Sequence, residues 1–167
     1  VARSPQAANV FTQMFTAHQV QKYYLAIALG KPKKKQGWIV GDMAKSRRSM
    51  YKLLRTTENP AVTQFFCLSL CEGKRAYLLK PLSGKTHQLR VAMASIGVPI
   101  LGDTLYGQHE SDRCYLHAYS LHFNYLGQQY VFQQRPMQGA EFNDEVFTSL
   151  VSQQWLQPDN LAWPTKK

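Results

Sequence analysis

Apolar stretches along the chain predict five β-strands, four of them in two hairpins. The segment KYYLAIAL (22–29) is aromatic and apolar and is bounded by glycine and proline, which predicts a buried strand. AVTQFFCLSL (61–70) and KRAYLLKPL (74–82) are separated only by CEG, a pattern typical of a β-hairpin. CYLHAYSLHF (114–123) and QQYVFQQ (128–134) flank NYLG and predict a second hairpin.

Other segments have the spacing of helices. A Ser-Pro pair followed by apolar residues at helical intervals predicts a helix over residues 4–18. Thr86 predicts the N-cap of a helix that runs to about Ile96, where a glycine and then a proline end it. Asn143 predicts the cap of a last helix that ends near residue 155.

These elements predict an α+β fold, because strands and helices intermix without a regular βα alternation. The sheet is expected to be mostly antiparallel. A chain of 167 residues is long enough for one domain with a hydrophobic core, and no internal repeat divides it. The glycine-punctuated segment GVPILGDTLYG (97–107) predicts a loop.

Charge points to a polyanionic partner. Lys and Arg outnumber Asp and Glu by 20 to 10, which gives a net charge of +10. The segment 31–55 carries nine basic residues and a single acid, Asp42. A solvated loop is the alternative for such a run, but Trp38 and Tyr51 lie within it, and aromatic rings give nucleic-acid bases a surface for stacking. We therefore favour RNA or DNA as the partner of this segment.

Cysteine usage and hydropathy favour a soluble, cytoplasmic protein. Cys67, Cys71 and Cys114 form no CxxC pair, and we expect them to fill the core. No apolar run has the length of a membrane span, and residues 1–20 lack the pattern of a secretory signal.

The histidines give little support to a metal site or to a nuclease. His117 and His122 lie five residues apart in a predicted strand, so we expect them on opposite faces. We therefore expect no metal. A ribonuclease that uses these two histidines is a minor alternative. Loops that bind phosphate or dinucleotide cofactors, such as the Walker and GxGxxG motifs, do not occur.

The polar cluster GKTHQLR (84–90) leads directly into apolar sequence. If the helix starts after Thr86, His87 and Arg90 share one face of its first turn. A guanidinium at this place suits an anion, either a phosphate or a carboxylate that must stay ionised. An ordinary surface arginine is the alternative that spacing alone leaves open.

Three segments, in order, resemble a known family. GKTHQLRVAMASIGVPILGDTLYG (84–107) closely resembles the third signature motif of the RluA-type RNA pseudouridine synthases. VQKYYLAIALG (20–30) is similar to the Lys-x-Tyr motif of that family, and RCYLHAYSLHF (113–123) to its later Leu-His-Ala strand. The resemblance implies the pseudouridine synthase catalytic fold, a mostly antiparallel sheet flanked by helices, and isomerisation of uridine in ribosomal or transfer RNA.

The resemblance also implies roles for individual residues. Tyr24 would stack on the flipped uracil and help to remove its C5 proton, Arg90 would pair with the catalytic aspartate, and Leu89 would line the uracil pocket. Further substrate-binding residues are expected at Lys22, Lys85 and His87. Arg47 and Arg48 are expected to bind RNA because of the charge of the basic segment 31–55, and the resemblance does not imply this role. The reaction is expected to need no cofactor or metal, and we expect a monomer.

The chain departs from the family at its catalytic motif. The family's catalytic aspartate belongs to an Arg-Leu-Asp motif, which does not occur in these 167 residues. We expect residues 1–167 to be one partial catalytic domain, inactive alone, whose aspartate was removed by truncation. A non-catalytic RNA-binding module of the same fold is the alternative. Ala92 stands where many relatives have histidine. Within the basic segment 31–55, the stretch GDMAKSRRSMYKLLR (41–55) is not general to the family, and we expect it to be a subgroup-specific insertion that binds RNA.

Overall fold

A computed structural model describes residues 20–164. The helix predicted over residues 4–18 lies outside this range. The strands are β1 (Gln21–Leu29), β2 (Gln36–Gly41), β3 (Met43–Lys45), β4 (Tyr51–Leu53), β5 (Ala61–Cys71), β6 (Lys74–Pro81), β7 (Leu116–Tyr125) and β8 (Gln128–Gln133). The helices are α1 (Gln88–Ser95) and α2 (Glu145–Gln154), followed by one 3-10 turn at Pro158–Asn160. None of these helices is long and apolar enough to cross a membrane.

Six strands form one antiparallel sheet in the order β2-β5-β6-β1-β7-β8, and β3 and β4 form a separate two-stranded ribbon. The predicted α+β class and both predicted hairpins are confirmed. The sheet forms because its inner strands carry apolar side chains on both faces. Leu25 and Ile27 of β1 and Leu78 and Leu79 of β6 are fully buried.

The helix α1 and the C-terminal segment cover opposite faces of the sheet. Successive strand residues point to opposite faces, so Tyr23 and Tyr24 of β1 mark the two sides. Tyr24 lies beside the start of α1. Tyr23 packs against the ring of Trp163, with ring centroids 5.8 Å apart. The face that carries Tyr24 and α1 contains the candidate site.

Two predicted helix caps are wrong. The N-cap of α1 is His87, not Thr86, and it has a left-handed backbone (φ 56°) and makes no side-chain capping bond. The N-cap of α2 is Asp144, not Asn143; its carboxylate accepts hydrogen bonds from the N–H groups of Val146 and Phe147. Helix α2 therefore has an ordinary side-chain cap, one residue later than expected. Helix α1 instead begins after a left-handed residue without such a cap.

The prediction that the cysteines fill the core is wrong for Cys71, which is exposed at the end of β5 because it adjoins the tight β5–β6 turn. Cys67 and Cys114 are half-buried and pack against the core.

His117 and His122 lie on the same face of β7, contrary to the prediction. They pair with Leu25 and Gln21, which are four residues apart on β1. The register shifts at Tyr23/Tyr24, where β7 has one extra residue, so the simple alternation of faces fails there. Four strand residues still separate the two histidines by about 13 Å, which is too far for both to bind one ion.

Candidate active site

One cavity of about 260 Å³ collects most of the residues that the sequence singled out. Strand β1 contributes Lys22 and Tyr24 to its wall, the ends of β6 and β7 contribute Pro81 and Leu116, and the turn after β6 and the start of α1 contribute the rest. Six predicted site residues line this cavity: Lys22, Tyr24, Lys85, His87, Leu89 and Arg90. Its volume lies just below the range of about 300–1,000 Å³ that is usual for ligand sites, which suits a group as small as a nucleobase.

Arg47 and Arg48 lie outside the cavity. Both are exposed in the turn between β3 and β4, where the Ser46 N–H donates to the Met50 carbonyl over 3.0 Å. Arg48 has a left-handed backbone (φ 56°) that completes this turn. We call the segment Met43–Leu53, with its two strands and its turn, the basic hairpin.

A buried amide network fixes the turn that carries the polar cluster. The Gln88 Nε2 group donates to the Val62 carbonyl over 2.9 Å and to Thr63 Oγ1 over 3.0 Å. Gln88 Oε1 accepts from Ser83 Oγ over 2.8 Å and from the Lys85 N–H over 3.1 Å. The amide thereby uses both of its N–H groups and both acceptor sites. This network ties the turn to β5 and stabilises the start of α1, which lacks a side-chain cap.

The left-handed His87 residue sets the direction of α1. A non-glycine residue with positive φ is uncommon and persists only where its surroundings hold it. Gln88 anchors the chain immediately after His87, and His87 Nδ1 lies 2.8 Å from the hydroxyl of Tyr106. The bend brings Leu89, 8% exposed, and Arg90 to the cavity wall.

Arg90 makes a two-point ion pair with Asp103, a residue of the predicted loop 97–107. Its Nε donates to Asp103 Oδ2 over 3.0 Å, and its second terminal nitrogen donates to Oδ1 over 2.8 Å. The Asp103 side chain is 0% exposed, whereas that of Arg90 is 27% exposed. Two of the five guanidinium N–H groups serve Asp103, so the group is held on one side while its exposed part borders the cavity.

Hydrogen bonding keeps Asp103 ionised. Burial alone would raise the pKa of its carboxyl group. The hydrogen bond and charge of Arg90, with the backbone N–H groups of Tyr106 and Leu105, outweigh burial and lower that pKa below its ordinary value. The same hydrogen bond raises the pKa of Arg90. The pair is therefore charged at neutral pH and holds the guanidinium in one orientation.

Burial shifts the ionisation of the two cavity residues of β1. It raises the pKa of Tyr24, so the phenol is neutral at physiological pH. It lowers the pKa of Lys22. On β7, the small residue Ala118 stands opposite Tyr24. A neutral aromatic ring at the edge of a small cavity is suited to stacking on a base.

Replacing Asp103 by asparagine is expected to lower the free energy of unfolding by about 3 kcal/mol at pH 7, because it breaks a pair whose carboxylate is buried. Because its pKa in the folded protein is lowered, the ionised Asp103 carboxylate stabilises the fold at any pH above the ordinary carboxyl pKa of 3.8. This stabilisation is lost as the pH falls through the lowered pKa. Urea unfolding should therefore show a difference between wild type and Asp103→Asn that shrinks below about pH 4.

The exposed Glu110→Gln variant is the matched control, with unchanged stability at neutral pH. A constant difference between wild type and Asp103→Asn from pH 7 to about pH 2 would contradict the assignment of the charge to Asp103.

Sequence reasoning singled out neither Asp103 nor Tyr106. The Arg90 guanidinium lies 5.1 Å from the Tyr106 ring centre, and the Tyr106 hydroxyl accepts a hydrogen bond from the Tyr51 N–H over 2.8 Å. The one signal in the sequence was that polar residues interrupt the apolar loop at LGDTLYG.

The chain is similar to known RNA pseudouridine synthases. A family model for RNA pseudouridylate synthases matches residues 1–95, more than half of the chain. The chain is 51% identical over 128 residues to the "uncharacterized RNA pseudouridine synthase" of Haemophilus influenzae, covering 75% of this chain and 57% of that protein. It is 32% identical over 127 residues to the dual-specificity RNA pseudouridine synthase RluA of Escherichia coli, covering 71% of this chain and 57% of that protein.

The fold also resembles solved structures of RNA pseudouridylate synthase domains. Human RNA pseudouridylate synthase domain containing 1 superposes with a TM-score of 0.69 at 26% identity, covering 81% of this chain and 62% of that one. The chain spans a little more than half the length of the two bacterial relatives. These matches and the three ordered motifs lead to one conclusion: the chain belongs to the RNA pseudouridylate synthase family, among its RluA-type members.

Proposed function

We propose that the protein containing this chain is an RNA pseudouridine synthase that isomerises uridine to pseudouridine in ribosomal or transfer RNA. The observation that carries the proposal is the meeting of Tyr24, Leu89 and Arg90 in one cavity, although they come from motifs some 60 residues apart. Relatives named as synthases favour this function over a non-catalytic RNA-binding module. We propose that it acts in the cytoplasm as a monomer, without a cofactor or metal.

The proposed reaction begins when the target nucleotide is flipped out of its stack, which costs a few kcal/mol in paired RNA. The uracil enters the cavity between the Tyr24 ring and the Leu89 side chain. An aspartate either bonds to C1′ or takes a proton from the sugar as the N1–C1′ bond breaks. The detached uracil turns and its C5 bonds to C1′, which releases the aspartate from C1′ or is accompanied by return of the sugar proton. The C5 proton is then lost while N1 gains one. Arg90 keeps the reacting aspartate ionised through its exposed N–H groups.

Asp103 is not suited to be that aspartate. Its side chain is fully buried, and both of its oxygens accept hydrogen bonds from Arg90. A nucleophile or base must reach the substrate within hydrogen-bonding distance. We assign Asp103 the role of orienting Arg90.

We propose that residues 1–167 form part of one catalytic domain and that the reacting aspartate is encoded before them. Two observations support this proposal: the Arg-Leu-Asp motif does not occur in the chain, and the match covers only 57% of each of the two bacterial relatives. The shared cavity leaves the exposed part of Arg90 available for a second carboxylate.

We further propose that the basic segment 31–55 binds the RNA backbone, with Arg47 and Arg48 at the turn of the basic hairpin. Both side chains are exposed, and Lys45 and Lys52 lie on the adjoining strands. The hairpin is joined to the cavity because the Tyr51 ring meets the His87 ring edge to face, with centroids 5.6 Å apart. We propose that Lys22, Lys85 and His87, at the cavity wall, contact the nucleotide itself.

Reversing both charges, Arg47→Glu/Arg48→Glu, is expected to weaken RNA binding at least tenfold at low salt. Loss of two phosphate contacts should reduce the slope of log affinity against log salt by roughly 1.4–1.8. Filter binding over a salt series measures both quantities.

The matched control is Arg75→Glu/Arg135→Glu, which makes the same change in net charge away from the hairpin and the cavity. Equal losses of affinity in the two variants would assign the effect to net charge, and unchanged affinity at low salt would reject the hairpin as a contact.

The proposed activity is tested by mapping pseudouridines in ribosomal and transfer RNA from cells with and without the gene. We expect at least one uridine to lose its modification on deletion and to regain it on complementation with the wild-type gene. If every pseudouridine persists after deletion, the proposed activity is wrong.

A further inference from the structure

Tyr106 touches three different parts of the site although no family motif assigned it a role above. It lies in the loop between α1 and β7. Its hydroxyl accepts a hydrogen bond from the Tyr51 N–H over 2.8 Å and lies 2.8 Å from His87 Nδ1. Its ring lies 5.1 Å from the Arg90 guanidinium. Its own N–H donates to Asp103 Oδ1 over 3.3 Å.

The hydroxyl and the ring have separate partners. The hydroxyl holds the backbone of β4 in the basic hairpin and the residue that starts α1. The ring supports the guanidinium that also pairs with Asp103, in the range of about 6 Å over which a cation is attracted to an aromatic face. Removing the hydroxyl alone should therefore affect the hairpin, while removing the ring should also affect Arg90.

The hydrogen bond from the Tyr51 N–H to the Tyr106 hydroxyl attaches one side of the basic hairpin to the loop between α1 and β7. At its base, the hairpin is fixed by Asp42, whose carbonyl accepts from the Leu54 N–H over 2.7 Å and whose carboxylate accepts from the N–H groups of Glu58 and Asn59. Leu53 of β4 also packs against the main core, and the Tyr51 ring meets the His87 ring. The Tyr106 hydroxyl adds a directed hydrogen bond beside these contacts, next to the cavity, and so helps to set the distance between the exposed arginines and the uracil pocket.

We propose that Tyr106 is a positioning residue that sets the basic hairpin through its hydroxyl and Arg90 through its ring. The proposal rests on the proposed function, because it assigns to the hairpin the RNA backbone and to the cavity the target uridine. The hydroxyl, by holding the hairpin, lets the RNA backbone and the flipped nucleotide bind at the same time, and the ring holds Arg90 at the reacting centre, where a misplacement of about 1 Å costs roughly 100-fold in rate.

The test compares Tyr106→Phe and Tyr106→Leu in the full-length protein, with RNA from cells lacking the gene as substrate. Tyr106→Phe is expected to raise KM by roughly 3- to 10-fold and to change kcat less than twofold, since one or two hydrogen bonds to the hairpin side are lost. Tyr106→Leu is expected to raise KM similarly and also to lower kcat at least 10-fold. Tyr130→Phe, on β8 and outside the cavity, is the matched control and should match wild type.

A double-mutant cycle separates positioning from general weakening of the fold. If the hydroxyl acts through the hairpin, Tyr106→Phe should raise KM no further in an Arg47→Ala/Arg48→Ala background. If the increases in KM from Tyr106→Phe and from Arg47→Ala/Arg48→Ala multiply in the combined variant, the proposal is wrong. A Tyr106→Phe variant with unchanged KM, or one whose kcat falls together with its melting temperature, would also overturn it.

The same cycle is measured as RNA affinity by filter binding, which needs no turnover. If the wild-type protein forms no pseudouridine, the proposed activity fails, and the affinity cycle still decides whether Tyr106 acts through the hairpin.

Discussion

Replacing Arg90 by lysine in the full-length protein is expected to lower kcat for pseudouridine formation by roughly 100- to 1,000-fold, the usual cost of losing one preorganised electrostatic contact. Lysine keeps the positive charge but has no planar fork, so it cannot face Asp103 with two parallel N–H groups and a second anion with the others. Because a cation still lies opposite the buried carboxylate, the fold should survive. Single-turnover kinetics, together with RNA affinity, measure the effect.

Arg75→Lys on β6 provides the control, since it makes the same chemical change outside the cavity. We expect wild-type kinetics for it. An Arg90→Lys variant with normal kcat would exclude Arg90 from the reaction, and one that loses activity only because it unfolds would show a lowered melting temperature.

Replacing Tyr24 is expected to have the second largest effect, and two variants separate its two proposed roles. Tyr24→Phe keeps the ring for stacking but removes the phenol, so kcat should fall about 100-fold, at the low end of the contribution of a positioned acid–base group, while RNA affinity is unchanged. Tyr24→Leu removes the ring as well and should also raise KM, by about 5- to 150-fold, which corresponds to the roughly 1–3 kcal/mol of one stacked base.

The neighbouring residue gives a suitable comparison, because Tyr23 points to the opposite face and packs against Trp163. Tyr23→Phe should leave kcat and KM unchanged. Equal activity of Tyr24→Phe and wild type would confine Tyr24 to stacking, and equal activity of Tyr24→Leu would remove it from the site.

Five of the eight strands in the described residues, and the β5–β6 and β7–β8 hairpins, were predictable because their signals are local, whereas β2, β3 and β4 in the basic segment 31–55 were not predicted. KYYLAIAL and the two segments around CEG contain everything that defines β1, β5 and β6: apolar side chains in sequence and a short polar turn between them. The resemblance to a family then supplied Tyr24, Leu89 and Arg90. The cavity brings these residues together, and their roles in the reaction remain predictions.

The errors come from features that a local pattern does not encode. Thr86 has the side chain of a helix cap, but the chain turns through a left-handed His87, which distant partners hold from β5 and from Tyr106. One extra residue in β7 places His117 and His122 on the same face. Neither feature can be predicted from a few consecutive residues of the sequence.

Asp103 and Tyr106 were missed for a related reason. Their partners, Arg90 and Tyr51, lie 13 and 55 residues away, and the loop between α1 and β7 has no periodicity that indicates where its side chains point. Only the folded chain shows that this loop supports the arginine of one motif and the hairpin of another segment.

The most direct test of the central claim is release of tritium from RNA labelled at C5 of uridine, because formation of pseudouridine removes the C5 hydrogen. The substrate is labelled RNA from cells that lack the gene, and the enzyme is the full-length protein. The account predicts release in stoichiometric proportion to one or a few uridines per RNA, and its loss in Arg90→Lys. Absence of release by a folded, RNA-binding wild-type protein would contradict it.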